Sequence, residues 1–251
     1  MLLDKYTTFE EVLQFINDTS EVKLRIVHHA EGRHIAMAFE DKPLPISINE
    51  SEFNFMHDII VKHNLRSGFE LSTGTGVSTI AIGSGFKKTG GNLISMDSYF
   101  EEIHTISDHI EVGHYSKEQK EDIEKKAYGI KVVKAASKAL ELENSVSLRV
   151  GWSPTDSVMD LAARGTPVDF VFFDCPKSDE DFKRDFEAIL PFLAHKYVIF
   201  LHDSQCFSQA TNDLIRGHVG LELQKISEYP EYEGKASCWK RFFPLAMINS
   251  L

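Results

Sequence analysis

The sequence predicts an α/β protein built on a doubly wound, mostly parallel sheet of seven strands. From residue 68 onwards, short apolar runs alternate with amphipathic segments, a pattern typical of strands connected by right-handed crossover helices. The last two apolar runs are joined directly by a polar loop, so we expect them to pair as a C-terminal antiparallel hairpin. Residues 1–50 lack this alternation and predict an extension, made of a helix and a β-hairpin, that packs on the main domain.

The N-terminal extension comes first in chain order. Thr8-Phe-Glu-Glu is a helix-capping pattern that precedes an apolar stripe ending at Ile16. Two strand-like runs flank a turn at 30–33, which predicts a hairpin, and this hairpin is a candidate surface for a homodimer. The predicted elements are a helix over 8–16, strands over 23–29 and 34–39, and a helix over 51–63 that opens the main domain at 51–251.

The main domain continues with alternating strands and helices. In a sheet of this kind, ligands bind beyond the carboxyl ends of the strands. Strands are predicted at 68–72, 92–97, 146–150, 168–174 and 197–201, followed by the hairpin strands at 221–227 and 236–243. Helices are predicted at 77–86, over a long stretch ending near 142, at 153–164 and at 178–193.

The connection over 98–145 is longer than one crossover helix needs. Its polar part, 98–124, follows a strand at the carboxyl edge of the sheet, so we predict an active-site lid there, with a plain surface excursion as the alternative. His104, His109 and His114 repeat every fifth residue in this segment. Because that spacing does not align ligands on one helix face, they are predicted to be scattered lid residues, with a pocket role for one of them as the alternative.

Composition restricts the partners and the compartment. The formal net charge of −11 disfavours binding to a phosphate backbone, and no apolar stretch is long enough for a membrane helix. No signal-peptide pattern follows Met1. Cys175, Cys206 and Cys238 make an odd number without CxxC spacing, which favours reduced thiols. We therefore expect a cytoplasmic protein that binds neither nucleic acid nor a membrane.

A glycine-rich turn joins the first strand of the main domain to the next helix. In Glu70-Leu-Ser-Thr-Gly-Thr-Gly-Val-Ser, Gly74 and Gly76 allow the backbone to approach a ligand closely. Thr79 stands where a dinucleotide-binding loop has its third glycine, and an acid inside the strand suits a cation better than a pyrophosphate. The next strand ends at Asp97, whose carboxylate can accept both hydroxyls of a ribose. Together these motifs predict an adenosine cofactor, and a plain tight turn is the alternative.

Four motifs in this order resemble those of class I S-adenosylmethionine-dependent methyltransferases. They are Glu70-Leu-Ser-Thr-Gly-Thr-Gly, Ser95-Met-Asp97, Gly151-Trp-Ser153 and Phe172-Phe-Asp174. Within that superfamily the chain is most similar to small-molecule O-methyltransferases of the catechol and macrocin type, over about residues 51–243. The resemblance implies a Rossmann-like methyltransferase fold. Ser72 departs from the family pattern E-x-G-x-G-x-G, which has a glycine there.

The resemblance also implies where S-adenosylmethionine, or its product S-adenosylhomocysteine, would bind. The glycine turn would line the methionine end, Asp97 would hold the ribose, and the third motif would border the adenine. Trp152 either stacks on the base or belongs to the core. The full set implied for the cofactor is Glu70, Ser72, Thr73, Gly74, Gly76, Ser78, Asp97, Ser98, Gly151, Trp152, Ser153 and Asp174.

Two further strand ends bear on the reaction. Asp174-Cys-Pro-Lys177 and His202-Asp203-Ser204 follow neighbouring strands, which lie about 4.8 Å apart in a sheet, so their acids can face one pocket. The resemblance to catechol-type enzymes implies Mg²⁺ ligands at Asp174, Asp203 and Ser204, with Ser204 in place of the family's asparagine. Lys177 and His202 are candidate bases, and His202 is alternatively a ligand for a softer metal ion. Asp203 is alternatively the cap of the following helix.

These observations together predict an S-adenosylmethionine-dependent methyltransferase that acts on a small-molecule hydroxyl, with or without a divalent metal. Three other functions stay open at this stage. The chain is alternatively a cofactor-binding partner protein without catalytic activity, an NAD(P)-dependent oxidoreductase, or a methyltransferase acting on nitrogen or carbon.

Overall fold

The computed structural model describes most of the main domain and parts of the N-terminal region. The described residues are 10, 13–14, 17–18, 24–29, 32–37, 45–99, 115–174, 178–202, 207–220, 224–225 and 246–249. Among these residues, no helix is both long and apolar enough to span a membrane.

The N-terminal region forms a small antiparallel sheet of three strands in the order β1-β2-β3. The predicted hairpin is confirmed by the pairing of β1 with β2, in which Leu24 lies opposite Met37. The third strand was not predicted. Its proline at position 45 is the first residue of the strand, a position that proline tolerates. The strands are β1 (Leu24–His29), β2 (Gly32–Met37) and β3 (Pro45–Asn49).

A second sheet of seven strands forms the main domain, in the order β6-β5-β4-β7-β8-β10-β9. Its parallel part comprises the five strands from β6 to β8, whereas β10 runs antiparallel to β8, and β9 runs antiparallel to β10. The strands are β4 (Ser67–Leu71), β5 (Asn92–Asp97), β6 (Val146–Val150), β7 (Val168–Phe173), β8 (Leu193–Leu201), β9 (Gln224–Lys225) and β10 (Ala246–Asn249).

The C-terminal hairpin is not established in the predicted form. Its predicted second strand at 236–243 and the loop before it lie outside the described residues. The strand that pairs with β9 is β10, which lies further along the chain than we predicted.

Helices cover both faces of the seven-stranded sheet. Phe170 and Phe172 of β7 pack in one core cluster with residues of α1, α2 and α4. Val171 and Phe173 pack in the other, with residues of α5, α6 and α7. This alternation along one strand buries β7 on both faces, as a doubly wound sheet requires. The helices are α1 (Glu50–His63), α2 (Val77–Thr89), α3 (Lys117–Lys126), α4 (Tyr128–Leu140), α5 (Thr155–Arg164), α6 (Asp179–Ile189) and α7 (Gln209–Val219).

The segment after β5 differs from the prediction in two respects. The single long helix expected before residue 142 is two helices, α3 and α4, separated at Ala127. The predicted lid at 98–124 contains the greater part of α3, which begins after a capping box at Ser116 and buries Ile123 in a cluster with Tyr99. Residues 100–114 lie outside the described part, so the lid itself stays a prediction.

The carboxyl ends of the parallel strands lie at one edge of the sheet and position the candidate site. The strand order reverses between β4 and β7, which is where open α/β sheets bind ligands. Backbone hydrogen bonds hold the residues just beyond the strands level with one another. Four backbone N–H groups donate to carbonyl groups of the neighbouring strand. The pairs are Ser72 to Met96, Asp174 to Leu71, His202 to Phe173 and Gly151 to Asp97.

Candidate functional site

The glycine-rich turn between β4 and α2 is held in an unusual backbone conformation. Ser72 has a φ of 82°, and Gly74 and Gly76 have φ values of 49° and 82°. The turn closes through a hydrogen bond of 2.7 Å from the Gly76 N–H to the Thr73 carbonyl. A serine at positive φ is strained, and such strain occurs most often at functional sites. The glycine that the family pattern places at position 72 would adopt this conformation without strain.

The start of α4 packs directly against this turn. A Cβ atom added to Gly129 would lie 1.8 Å from the carbonyl oxygen of Gly74, so only a glycine allows this approach. On the same helix, Val133 occupies the space where a Cβ on Gly76 would point, at 2.3 Å. The backbone of the turn therefore has little freedom to move towards α4.

Glu70 of β4 is fully buried beneath the turn. Its two carboxylate oxygens accept hydrogen bonds of 2.6 Å from the hydroxyls of Ser78 and Thr79, at the start of α2. Burial raises the pKa of Glu70 to about 7, whereas the hydroxyl groups of Ser78, Ser95 and Thr79 act in the opposite direction. Glu70 thus ties the turn to the first residues of α2, and it exposes no surface on which a ligand could bind directly.

Asp97, at the end of β5, ties the turn to the neighbouring strand. Its carboxylate accepts hydrogen bonds from the Gly74 N–H at 2.8 Å and from the Tyr99 N–H at 2.7 Å, with a longer one of 3.4 Å from Ser72. Burial raises the pKa of Asp97, and the charge of Asp174 adds to this effect. Because a carboxylate has about four acceptor positions, these three bonds leave about one position for a ribose hydroxyl.

The loop after β6 brings Trp152 against Tyr115, which precedes α3. Their ring centroids lie 5.4 Å apart with a tilt of 46°. The Tyr115 hydroxyl donates to the Ser98 carbonyl at 2.9 Å, and burial raises its pKa to about 12. Asp156 accepts a hydrogen bond from the backbone N–H of Trp152 at 2.8 Å and pairs with a lysine of α3 at 2.7 Å. The predicted adenine border is therefore fastened to the described part of the predicted lid segment.

Gly151 and Ser153 flank this tryptophan. A Cβ on Gly151 would meet Asp156 at 2.6 Å, which explains why a glycine occupies this position. The Ser153 hydroxyl donates to the buried Asp185 of α6 at 2.9 Å. The structure thus places the Ser153 side chain in a contact with α6, and its role beside the adenine stays a prediction.

Asp174 and His202 meet beyond the ends of β7 and β8. The Asp174 Oδ1 and His202 Nδ1 atoms are 2.9 Å apart, which is a hydrogen bond. The other ring nitrogen of His202 faces Glu52 of α1, with 3.8 Å between Nε2 and Oε2. The charge of Asp174 also raises the pKa of both Glu70 and Asp97, which places all three carboxylates in one electrostatic environment.

The remaining predicted residues cannot be placed. Lys177, Asp203 and Ser204 lie outside the described residues, as do the three cysteines and the histidines of the predicted lid. Among the residues that the structure describes, no group of three or more histidine, cysteine or acidic side chains is arranged to hold a metal ion. Of the predicted magnesium ligands, only Asp174 is described, and its Oδ1 already pairs with His202.

Four residues of the site were not predicted from the sequence. Asn49 and Glu52 have the N-x-x-E spacing of a capping box, a local signal that could have drawn attention to Glu52. Tyr115, Gly129 and Asp156 carry no comparable signal, because their contacts are made with residues distant in the sequence.

Comparisons with known proteins show the family to which the chain belongs. A family model described as a methyltransferase domain matches residues 69–204, which is more than half of the chain. The chain therefore belongs to this methyltransferase family, which confirms the resemblance to class I S-adenosylmethionine-dependent methyltransferases. No curated protein matches the chain significantly in sequence.

Several solved structures share the fold. Cofactor-bound Rv0187 from MTB has a TM-score of 0.55 and 16% identity, and the match covers 82% of each chain. An O-methyltransferase from Bacillus cereus in complex with SAH has a TM-score of 0.54 and 16% identity, with 81% of this chain and 82% of that chain covered. The O-methyltransferase TomG from Streptomyces achromogenes, in complex with SAM, has a TM-score of 0.56, 13% identity and 82% coverage of each chain. At these identities the likeness shows the fold alone.

Proposed function

We propose that the chain binds S-adenosylmethionine at the turn between β4 and α2 and transfers its methyl group. The observation that carries this proposal is the cluster of acids beside a turn with a ligand-accommodating backbone, in which the charge of Asp174 raises the pKa of both Glu70 and Asp97. Such an environment favours a cationic ligand and disfavours a pyrophosphate. It therefore supports a sulfonium cofactor over a dinucleotide.

The proposed acceptor is a hydroxyl group of a small molecule. When His202 Nδ1 carries the ring proton and donates it to Asp174, Nε2 is left as the basic atom. This Asp–His pair lies at the same sheet edge as the turn, so it is suited to accept the proton that the hydroxyl loses. The solved O-methyltransferases with this fold are consistent with oxygen as the acceptor atom, and a small acceptor suits a chain with a net charge of −11 better than a nucleic acid.

The cofactor would supply an activated methyl group bound to a positively charged sulfur. The part played by the chain is chiefly to hold the groups in line and to take up a proton. Asp97 and the turn would hold the nucleoside, Trp152 would border its base, and His202 would receive the hydroxyl proton at Nε2. Lys177 is a second proposed base, and Asp203 with Ser204 would complete a magnesium site around Asp174.

Calorimetric titration with S-adenosylhomocysteine tests the cofactor. We expect micromolar binding both in Mg²⁺ and in EDTA. Asp97→Ala should weaken binding about tenfold or more, because it removes a charged hydrogen-bond partner and releases the turn. Asp213→Ala, an exposed position on α7, is the matched control and should stay within about twofold. Folded wild-type protein that does not bind the compound would overturn the proposal.

Two further experiments test the acceptor atom with its metal requirement, and the oxidoreductase alternative. Transfer of labelled methyl groups to a panel of hydroxylated small molecules, in Mg²⁺ or EDTA, tests oxygen methylation and the use of a metal. A parallel titration with NADH tests the oxidoreductase alternative, because tight NADH binding in place of S-adenosylhomocysteine would favour it. Cytoplasmic location and a homodimer through the β1–β2 hairpin remain proposals of the same kind.

A further inference from the structure

Glu52 is a buried carboxylate close to the proposed base. It lies in the first turn of α1 and is 4% exposed. Its Oε2 atom accepts a hydrogen bond of 2.9 Å from the Asn49 N–H, while its own N–H donates to the Asn49 side chain at 2.8 Å. This reciprocal pair is a capping box, which accounts for the acid at the start of the helix but not for its second contact.

That second contact is with His202. Oε2 of Glu52 lies 3.8 Å from His202 Nε2, and Oδ1 of Asp174 lies 2.9 Å from His202 Nδ1. Each ring nitrogen of this buried imidazole therefore faces a carboxylate. A buried carboxylate is costly unless a positive or hydrogen-bonding group lies nearby, and His202 becomes such a group for Glu52 when Nε2 receives the proton of the acceptor.

The position of the Glu52 carboxylate is set by the packing of α1. Phe53, Met56 and Ile60 of this helix are buried in the core on one face of the sheet. Because the helix is anchored on this side, the carboxylate is held at a fixed place relative to the end of β8. A rigid charge next to one ring nitrogen limits the rotation of the imidazole that is compatible with the bond to Asp174.

We propose that Glu52 is a positioning residue for His202: Asp174 holds the ring at Nδ1, and the Glu52 carboxylate attracts the Nε2–H that forms when the ring receives the proton of the acceptor. This inference rests on the proposed function, in which His202 receives the proton of the acceptor. It also makes the β3–α1 junction part of the reaction site. The N-terminal region then contributes to the chemistry as well as to the packing of the main domain.

Glu52→Gln separates positioning from capping. Glutamine also serves in a capping box, so its side-chain oxygen can still accept from the Asn49 N–H, while the charge facing His202 is lost. Asn49→Ala is the matched control, because it removes the side-chain half of the cap and leaves the Glu52 charge in place. Each variant is compared with the wild-type full chain at a single pH.

The ring nitrogens of His202 report directly on the contact. In ¹⁵N–¹H correlation spectra of histidine side chains, the His202 signals are identified by their absence in His202→Asn. We expect Glu52→Gln to move the Nε2 signal well beyond the line width, and Asn49→Ala to leave both ring signals in place. A Glu52 that only caps α1 would move neither signal, and unchanged His202 signals in Glu52→Gln would overturn the proposal.

Urea unfolding of the single and double variants provides an independent measurement. For Glu52→Gln and His202→Asn, the unfolding equilibrium constant of the double variant should differ about fivefold from the value expected for independent effects. For Asn49→Ala and His202→Asn, it should agree within about twofold. Additive effects in the first pair would contradict the inference. Titration of the wild type with S-adenosylhomocysteine keeps the two proposals apart, since failure to bind counts against the proposed function whatever the ring signals show.

Discussion

Ser72 is the residue at which this chain departs from the family pattern, and its backbone shows the consequence. Its φ of 82° is a conformation that glycine adopts freely, whereas a residue with a Cβ atom is strained there. The Ser72 hydroxyl offsets little of this strain, because its hydrogen bond to Asp97 is 3.4 Å long. We therefore expect Ser72→Gly to raise the free energy of unfolding by about 0.5–1 kcal/mol, as measured by urea denaturation.

The same substitution at a helical position is the control for this prediction. Ser84 lies within α2, where a glycine gains nothing from positive φ and increases the entropy of the unfolded chain. Ser84→Gly should lower the free energy of unfolding by about 0.5 kcal/mol. Equal destabilisation by both substitutions would show that the backbone strain at Ser72 is negligible.

At the scale of the elements, the approach of α4 to the glycine-rich turn is the contact most sensitive to substitution. Gly129→Ala would place a methyl group against the Gly74 carbonyl, and backbone atoms cannot yield as a flexible side chain can. We expect a loss of stability of about 1–3 kcal/mol, and at least a tenfold weaker affinity for S-adenosylhomocysteine if the turn moves. Thermal unfolding and calorimetric titration measure the two effects.

Gly217→Ala provides the matched helical control. Gly217 lies in α7, and no atom lies within 4 Å of an added Cβ. There the change should stabilise the protein by about 0.5–1 kcal/mol, because alanine is the better helix former. If Gly129→Ala also stabilised the protein, the close packing of α4 on the turn would not exclude a side chain at position 129.

The elements that the sequence predicts well are those whose limits are set locally. Predicted and observed bounds agree for β5 and β6, since apolar runs end there at polar turns. The break between α3 and α4 at Ala127 was not predictable in this way, because no proline lies there and the nearest glycine, Gly129, lies inside α4. Burial of Ala127 with Tyr115 and Ile130 accompanies the break, and that packing depends on the tertiary structure.

At the scale of the whole molecule, the part of the site that depends on strand ends could be predicted, whereas the part that depends on tertiary packing could not. Asp97, Asp174 and His202 could be predicted because strand ends in a parallel sheet meet at one edge. The approach of Glu52 to His202 depends on how α1 lies across the sheet, and no spacing in the sequence encodes that. The bond between Ser153 and Asp185 likewise depends on the packing of α6 against the loop after β6.

The buried acids of the site also affect the stability of the whole protein. In the folded protein the pKa of Glu70 is raised to about 7, mainly by burial, from its usual value of 4.5 in the unfolded chain. Below pH 4.5 both states carry the proton, and above pH 7 both have lost it. Between these values the folded state binds more protons than the unfolded state, so the contribution of Glu70 to stability falls as the pH rises. The raised pKa of Asp97 acts in the same direction.

Glu70→Gln should remove the part of this pH dependence that arises from Glu70. The amide can still exchange hydrogen bonds with the hydroxyls of Ser78 and Thr79, which act as donors or acceptors. Relative to the wild type, the variant should gain stability progressively from pH 4.5 to 7, by at most about 3 kcal/mol, and then level off. Urea unfolding across this range measures the difference. Glu118→Gln is the control: the pKa of this exposed acid is lowered, so its effect lies below pH 4.5 and the stability difference should stay flat between pH 4.5 and 7. A flat difference for Glu70→Gln as well would mean that Glu70 ionises in the folded protein as it does in the unfolded chain.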